Sequence, residues 1–249
     1  MKCHQRIIRE EAALVDPRSP QPSLAGCVVE PVALAEAERV ILRYEWLRSM
    51  PTNPRGAYGL RDPSGSLAGV VCFGVGGGSN ARLISGEPWR DRTICLERGA
   101  CVHWAHPHAG SFLVARACAA AARDYGWRVF YAYSDEAAGE IGTIYQACNW
   151  RYIGQSVGRG SRFRSAFISP DGERITSKAW RALRRREGGV SQDQMFAQGW
   201  QRDRAVEKHK YVGFYGPRDE RRRAERDCRY PPLDYPKRSS AAMPVTRPL

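Results

Sequence analysis

The sequence predicts a mixed α/β domain built around one sheet, and two observations lead to that prediction. Short apolar runs typical of strands alternate with amphipathic runs typical of helices, in the order β-α-β-β-β-α-β-α-β. The chain has 249 residues, 43% of them hydrophobic, which is enough to bury a full core. The first residues lack the apolar centre of a signal peptide, and no apolar run approaches the roughly 20 residues of a membrane span. We therefore expect a cytoplasmic protein with no membrane partner.

The first half of the core follows an irregular, proline-rich lead-in over residues 1–26. Apolar residues at intervals of three or four predict a helix, and alternating or continuous apolar runs predict strands. Prolines and the turn sequence Asp62-Pro63-Ser64-Gly65 separate these elements. The predicted elements are a strand from Val28, a helix over 33–49, and strands over 57–61 and 67–73.

The second half of the core begins with a strand predicted over 93–102. Gly99 lies inside this strand and predicts a bulge or the close approach of another backbone. A helix follows over 111–125, with Ser111 suited to cap its N-terminus. The first turn of that helix has unpaired N–H groups and the positive end of the helix dipole, which together bind anions. We expect Arg98, Gly99 and Ser111 to bind a cofactor, and a surface salt bridge is the other role open to Arg98.

Two residues near the next strand are candidates for proton transfer. The run 129–134 is apolar on both faces and should be a central strand. Asp135 follows this run at the end of the strand. Ligands of α/β sheets bind at such strand ends, and a carboxylate there can accept a proton. Capping the next helix is the alternative role for Asp135. Tyr145 lies on the apolar side of a helix predicted over 139–149; it can donate a proton, and core packing is its alternative role.

Three histidines follow the 93–102 strand within six residues. His103, His106 and His108 stand close in sequence to Cys101, and imidazole and thiolate suit iron or zinc. No helix or strand spacing brings these side chains together. A metal site, hydrogen bonding within the loop and contact with a nucleotide therefore all stay open. We expect this stretch to line the same cleft as Asp135.

Positive charge is concentrated in the C-terminal part of the chain. The net charge is +13, and residues 151–249 contain 23 basic and 11 acidic residues. Such a field attracts polyanions in a salt-dependent manner, although a solubilising surface is the other interpretation. We place a core at residues 27–168, completed by a strand from Tyr152, and a basic extension at 169–249 that binds DNA. The candidate contacts are Arg184, Arg185, Arg186, Lys208, Lys210, Arg221, Arg222 and Arg223.

Several segments resemble the phage Mom family. They are Tyr44-Glu45-Trp46-Leu47, the stretch from Leu96-Glu97-Arg98-Gly99-Ala100-Cys101 through His108 to Ser111, Gly142-Thr143-Ile144-Tyr145-Gln146-Ala147 with Asn149-Trp150, and Lys208-His209-Lys210-Tyr211-Val212. The resemblance spans roughly residues 27–240. The order of elements also resembles the GNAT acyltransferase superfamily, which implies a GNAT-like mixed sheet flanked by helices.

The Mom resemblance implies modification of DNA. Members of that family add a methylcarbamoyl group to N6 of adenine in phage DNA, which blocks host restriction enzymes. Carried over residue by residue, the resemblance implies that Arg98, Ser111, Asp135 and Tyr145 belong to the active cleft. It implies a functional, catalytic role for Tyr44 as well.

The group donor stays open. The phosphate loop of GNAT enzymes, Gln/Arg-x-x-Gly-x-Gly/Ala, is absent, and residues 103–110 replace it. The fold implies acetyl-CoA or a related acyl donor, and the histidines leave iron open. The leading function is transfer of an acyl-derived group to adenine in double-stranded DNA, inside the host cell. The alternatives are a GNAT acetyltransferase of a protein or small amine and a non-catalytic DNA-binding phage protein; a homodimer stays open.

Overall fold

The computed structural model describes residues 23–45, 49–76, 81–135, 140–155, 165–172, 174–176, 180, 183–184, 188–204 and 208–237. Two of the candidate DNA contacts, Arg185 and Arg186, lie outside the described residues, as does most of the predicted lead-in.

The described elements follow the order that the sequence predicts and then continue beyond it. They are β1 Val28–Pro31, α1 Leu34–Tyr44, β2 Pro54–Arg61, β3 Leu67–Gly74, β4 Thr93–Cys101, α2 Ala109–Asp124, β5 Val129–Asp135, α3 Thr143–Ala147, β6 Arg151–Gln155, β7 Ser165–Ile168, β8 Arg174–Thr176, α4 Gln192–Ala197, β9 Gln201–Arg204, β10 Lys208–Phe214 and α5 Arg218–Arg226. The predicted order is confirmed from β1 to β6.

Seven strands form one mixed sheet in the order β1-β2-β3-β4-β5-β10-β6. The pairings are antiparallel except for β4 and β5, which run parallel. The predicted α/β class is confirmed. β10 lies between β5 and β6, with Lys208 opposite Asp135 and Phe214 opposite Val129. Residues 208–214 are therefore part of the core sheet, which differs from the boundary that we expected at residue 169.

The two faces of the sheet are covered by different helices. Helices α1 and α2 cover one face, the α1/α2 face, and α5 covers the other, the α5 face. Successive side chains of a strand point to opposite faces. In β5, Phe130 and Ala132 accordingly pack on the α1/α2 face, whereas Val129 and Tyr131 pack on the α5 face. This alternation assigns every residue of β5 and β10 to one face.

Helix α5 is held against the sheet by one buried side chain and by polar contacts. Ala224 is fully buried on the α5 face. Glu220 accepts hydrogen bonds from Arg92 at 2.8 Å and from Arg128 at 2.5 Å. Asp227, just beyond the helix, accepts a hydrogen bond from Trp89 Nε1 at 2.8 Å. The helix that carries the arginine block is thus fixed to the main sheet.

A second, three-stranded sheet lies in the chain between β6 and β10. Its order is β8-β7-β9. Phe167, Trp180 and Met195 form a separate apolar cluster there, in which the Phe167 and Trp180 rings stack with centroids 4.0 Å apart. The insertion therefore has its own small core and leaves the main sheet between Gln155 and Lys208.

Helix α3 is shorter than the sequence predicts. It covers Thr143–Ala147 and not 139–149, because Gly142 precedes it with a φ of +76°. A Cβ at Gly142 would lie 2.3 Å from Cε2 of the Tyr211 ring. The glycine thus allows the chain to pass tightly over Tyr211 before the helix begins.

A close approach at Gly213 gives a prediction about stability. A Cβ at Gly213 would lie 2.6 Å from the Trp150 ring, whereas a Cβ at Gly99 would lie 3.3 Å from a methyl group of Val71. Both glycines have φ values open to alanine. We expect Gly213→Ala to lower the free energy of unfolding by about 1–3 kcal/mol, because the rigid indole must shift. Gly99→Ala serves as the control and should cost less; equal midpoints in urea denaturation would contradict the contact at Gly213.

Candidate active site

The parallel strands β4 and β5 separate halfway along their length. They pair only from Thr93 opposite Val129 to Leu96 opposite Ala132. Beyond that point β4 continues beside β3, and β5 continues beside β10. The two strands thereby leave a gap, which we call the slot, between residues 97–101 and residues 133–135. The slot lies at the carboxyl ends of both strands, where sheets of this class bind ligands.

A bulge in β4 lies at the start of the slot. Cys72 of β3 is opposite Arg98 and Phe73 is opposite Leu96, so Glu97 is the extra residue. The prediction of a bulge at Gly99 is wrong, because Gly99 pairs in register with Val71. The Glu97 carboxylate accepts a hydrogen bond from the Gly76 N–H at 2.9 Å.

Asp135 lies on the α5 face at the end of β5. Its carboxylate forms an ion pair with Lys208 Nζ at 2.7 Å, across the β5–β10 pairing. Asp135 is only 7% exposed. Capping of the following helix stays open as the alternative role of Asp135, because residues 136–139 lie outside the described residues. The ion pair with Lys208 fixes the position of the carboxylate at the end of β5, where it can contact a group brought to the slot.

Tyr145 lies on the α1/α2 face. Its ring stacks on Trp150 with centroids 5.2 Å apart and contacts Tyr211 at 5.4 Å. Burial raises the pKa of the Tyr145 hydroxyl well above its usual value, and the nearby Glu140 and Cys95 raise it further. Tyr211 is opposite Ala132, the last residue of β5 that pairs with β4, so the contact with Tyr211 places Tyr145 near the base of the slot. A phenol held in its protonated form can donate a proton.

Tyr44 and His103 come together on the α1/α2 face. The Tyr44 hydroxyl lies 3.1 Å from His103 Nδ1. The Arg43 guanidinium lies over the Tyr44 ring, 5.3 Å from its centroid. One predicted catalytic residue is therefore directly bonded to one of the candidate metal ligands, although 59 residues separate them.

The start of α2 differs from the prediction. The helix begins at Ala109 with His108 as N-cap, so the prediction of Ser111 as N-cap is wrong. The Ser111 hydroxyl donates to the His108 carbonyl at 3.1 Å instead. His106 Nδ1 accepts from the His108 N–H at 3.0 Å. Cys148, just beyond α3, contacts the Ser111 carbonyl with its thiol, so α3 lies beside this first turn.

Arg98 has a clear structural role. Its Nε donates to the Ser49 carbonyl at 2.7 Å and its Nη1 donates to the Glu97 carbonyl at 2.7 Å. Its Nη2 contacts the Ser49 hydroxyl at 3.3 Å. The side chain thus ties residue 49 to the bulge beside the slot. The alternative of a surface salt bridge finds no carboxylate partner among the described residues.

The structure separates side chains that the sequence suggested in one cleft. Tyr44, His103, Ser111 and Tyr145 belong to the α1/α2 face, and Asp135 belongs to the α5 face. His103 therefore lies on the face opposite to Asp135, and the expectation that the histidine stretch lines the cleft stays a prediction. Within the described part of the chain, no three His, Cys, Asp or Glu side chains lie close enough to hold a metal ion.

The basic candidates that the structure describes are unevenly placed. Arg221, Arg222 and Arg223 are exposed on α5. Lys208 and Lys210 alternate with the α1/α2-face residues of β10 and so lie on the α5 face, together with Asp135. Arg184 instead donates to the Val190 carbonyl at 2.7 Å in the inserted unit.

Two buried polar residues were not predicted from the sequence. Ser134 is 1% exposed, and its hydroxyl has no hydrogen-bond partner in the part of the chain that the structure describes. His209, opposite Ser134 on β10, lies 3.0 Å from the Tyr152 hydroxyl through Nδ1. The sequence offered no signal for either, because both stand in runs that only pairing across the sheet brings together.

Comparison with protein families identifies the chain at this point. The profile of the Mom protein family matches residues 26–237, which is most of the sequence and includes every element of the slot. The chain belongs to the Mom protein family. A comparison with curated proteins found no match.

Solved structures similar to this Mom-family chain are acetyltransferases. A variant of the spermidine N-acetyltransferase of Vibrio cholerae aligns over 76% of this chain and 94% of its own, with 9% identity and a TM-score of 0.42. An acetyltransferase of Bacillus subtilis in complex with CoA aligns over 76% of this chain and 98% of its own, with 11% identity and a TM-score of 0.40. None of the helices in the described ranges of the Mom-family chain is long and apolar enough to cross a membrane.

The charges that hold α5 predict a dependence of stability on pH. Hydrogen bonds from Arg92 and Arg128 lower the pKa of Glu220 from 4.5 to about 2. The stabilisation is therefore present above about pH 4.5 and is lost as the pH falls towards 2. We expect Glu220→Gln to lower the free energy of unfolding at pH 7 by about 1 kcal/mol, since solvent screens the partly exposed pair. The difference from wild type should shrink between pH 4.5 and 2.

Chemical denaturation across that pH range measures the effect of Glu220. Glu87→Gln is the matched control, because Glu87 forms an exposed ion pair with Arg90 three residues away. The control should change stability little at any pH. A constant difference for Glu220→Gln down to pH 2 would contradict the role of its charge.

Proposed function

We propose that this Mom-family protein transfers a small acyl-derived group, the methylcarbamoyl group, to N6 of adenine in double-stranded DNA. Such a modification would protect the DNA from restriction enzymes. The proposal combines membership of the family with one observation about the site: the recessed carboxylate of Asp135 shares the α5 face with the exposed basic residues.

The shared face determines the side from which DNA would approach the slot. DNA bound to the arginines of α5 and to the lysines of β10 would approach the slot from the side on which Asp135 lies. Tyr145 and the first turn of α2 border the opposite face. Acceptor and donor can therefore reach the reacting atoms from different sides without competing for space, because the strands are unpaired at the slot.

Asp135 would serve as the base. Its carboxylate can orient the exocyclic amine of adenine and accept one proton as the new bond to nitrogen forms. Lys208, at 2.7 Å, balances the negative charge before the reaction and holds the carboxylate in place. Tyr145 would donate a proton to the group that leaves the donor, because its hydroxyl is the candidate proton donor on the face opposite to Asp135.

The donor side fits an activated acyl compound better than a metal. The donor of a methylcarbamoyl group would itself carry that group on a leaving group such as a thiol, because acetyl-CoA can supply only an acetyl group. The bond to the leaving group breaks as the bond to N6 forms. The first turn of α2 offers the N–H groups of Gly110 and Ser111 near the slot. Iron does not fit the described residues, since no set of three suitable ligands is present among them. The proposed proton transfers accordingly involve Asp135 and Tyr145 and no metal ligand.

Mass analysis of DNA is the direct test of this function. DNA from cells expressing the protein would be digested to nucleosides and compared with DNA from cells expressing Asp135→Asn. A modified deoxyadenosine present only with the wild-type protein supports the proposal. Unmodified DNA together with an acetylated protein or polyamine would replace it with an acetyltransferase function.

Asp135→Asn should abolish modification while leaving DNA affinity nearly unchanged. The amide keeps the shape of the side chain but cannot accept the proton, and acid–base contributions of this kind are typically about 10²- to 10⁴-fold in rate. Single-turnover modification of a duplex at saturating concentration measures the effect.

Lys208→Gln is the control for Asp135→Asn, because both changes break the same ion pair but only one removes the carboxylate. We expect the control to keep most of the rate once DNA is saturating. Equal losses in the two variants would show that the ion pair matters and that Asp135 is not the base.

Replacing Arg221, Arg222 and Arg223 by alanine should flatten the salt dependence of DNA binding. The slope of log K against log salt should fall by about 0.9 for every DNA phosphate that the variant no longer neutralises. The matched control removes three exposed arginines from the α1/α2 face: Arg39, Arg116 and Arg123. Titrations of a labelled duplex at several salt concentrations measure both slopes. If the control flattens the slope as much, net charge and not the α5 face governs binding.

A further inference from the structure

Lys210 occupies an unusual site on the α5 face. Its Nζ lies 5.2 Å from the centroid of the Tyr230 ring, 5.6 Å from that of Tyr131 and 5.9 Å from that of Tyr133. Three aromatic rings thus surround one ammonium group, at distances at which the negative face of a ring attracts a cation. We call this arrangement the tyrosine cage.

The ammonium of Lys210 has no acidic partner in the described part of the chain. The neighbouring Lys208 pairs with Asp135, but no carboxylate lies within ion-pair distance of Lys210. Burial lowers the pKa of Lys210 from its usual value. A partly desolvated cation that only rings stabilise gains more from an incoming anion than a fully solvated surface lysine does.

The position of the cage relates it to Asp135. Lys208 and Lys210 are two residues apart on β10 and point to the same face, so their Cα atoms are about 7 Å apart along the strand. Lys208 contacts the proposed base directly. A nucleotide whose base reaches Asp135 would therefore bring its own sugar and phosphate close to Lys210.

The exposed fraction of the side chain differs sharply between Asp135 and Tyr230. Asp135 is only 7% exposed, whereas Tyr230 is 41% exposed. A base that stays stacked in a duplex cannot reach a recessed carboxylate, so enzymes that act on bases rotate the target nucleotide out of the helix. An exposed aromatic ring beside a cation is the combination that holds an unstacked base and its phosphate.

We propose that the tyrosine cage holds the target nucleotide after it leaves the duplex: Lys210 binds the backbone phosphate next to the target adenine, and the Tyr230 ring contacts the unstacked nucleotide. This inference rests on the proposed function, because it concerns the DNA substrate of the same site. The phosphate that Lys210 binds is one of the DNA and not one of a CoA-type donor, since the cage lies on the face opposite to Tyr145 and α2.

Binding measurements separate the two sources of phosphate. The affinities of Lys210→Met for a duplex and for CoA would be compared with those of wild type, with Lys210→Arg restoring the charge and Arg116→Met removing a charge from the other face. We expect Lys210→Met to reduce the salt slope for DNA by about 0.9 and to leave CoA binding unchanged. Weaker CoA binding with an unchanged DNA slope would overturn the proposal, and so would no effect on either ligand.

A chemical variant of the DNA tests which phosphate is bound. A neutral methylphosphonate would replace, one at a time, the phosphates around the target adenine mapped in the modification assay. The substitution next to that adenine should weaken wild-type binding about tenfold and leave Lys210→Met unaffected, which is the signature of direct coupling. Additive effects of the two changes at every phosphate would overturn the assignment to Lys210.

A fluorescent base tests extrusion without requiring catalysis. Duplexes with 2-aminopurine at the target position should brighten when wild type or Asp135→Asn binds, because the base unstacks. Tyr230→Ala should lose this signal, and Tyr230→Phe should keep it. Fluorescent complexes without any DNA modification would support the role of the tyrosine cage and refute the proposed reaction. Modification by wild type without brightening, or equal brightening by Tyr230→Ala, would refute the role of the cage.

Discussion

The short pairing of β4 with β5 is the constraint on which the site depends. Four residues of each strand pair in parallel before the strands separate, and each strand then pairs only with its other neighbour. In the slot that results, the facing edges of β4 and β5 do not pair with each other. Two features support this separation: the extra residue Glu97 bends β4 away, and Lys208 holds the end of β5 to β10. Arg98 fixes the outer loop at residue 49 beside the same bulge.

The slot also explains why candidate site residues are found on both faces of a single sheet. In a continuous sheet, alternating side chains belong to separate environments. Where the strands part, the two environments meet, so that Tyr145 on one face and Asp135 on the other border one gap. The distribution of charge follows this division: the described basic residues at Lys208, Lys210 and on α5 lie on the face of Asp135.

Local pattern predicted much of the fold. The strand over 129–134 and the order of elements up to β6 could be derived from hydrophobic periodicity alone, because that periodicity records which residues are buried. The position of the bulge could not be derived in this way. Gly99 suggested a bulge, yet the space for Glu97 comes from Gly74 on the partner strand, where a Cβ would lie 2.2 Å from the Glu97 carboxylate.

Contacts between residues distant in sequence could not be predicted either, because local periodicity does not show which segments pair. Asp135 and Lys208, or Tyr44 and His103, meet only through pairing and packing of the whole chain. The sequence did not predict β10 as a core strand, because its lysines make the segment look like part of the basic extension. Tyr211 and Val212 are the only fully buried apolar side chains of this strand.

The position of β10 has a consequence for the order in which the molecule is made. In the described part of the chain, β6 pairs with the main sheet through β10, and β10 follows it by more than 50 residues. During synthesis, the ribosome therefore releases β1 to β5 long before the sheet can be completed. Pairing between strands so distant in the chain is slow, because the entropy of closing the long loop is lost before the new contacts form. Until β10 docks, Asp135 lacks its ion pair with Lys208, and Lys208 and Lys210 are not yet placed beside it. A nascent or truncated chain that lacks β10 consequently has no complete site at the end of β5, so the site forms only when translation is nearly finished.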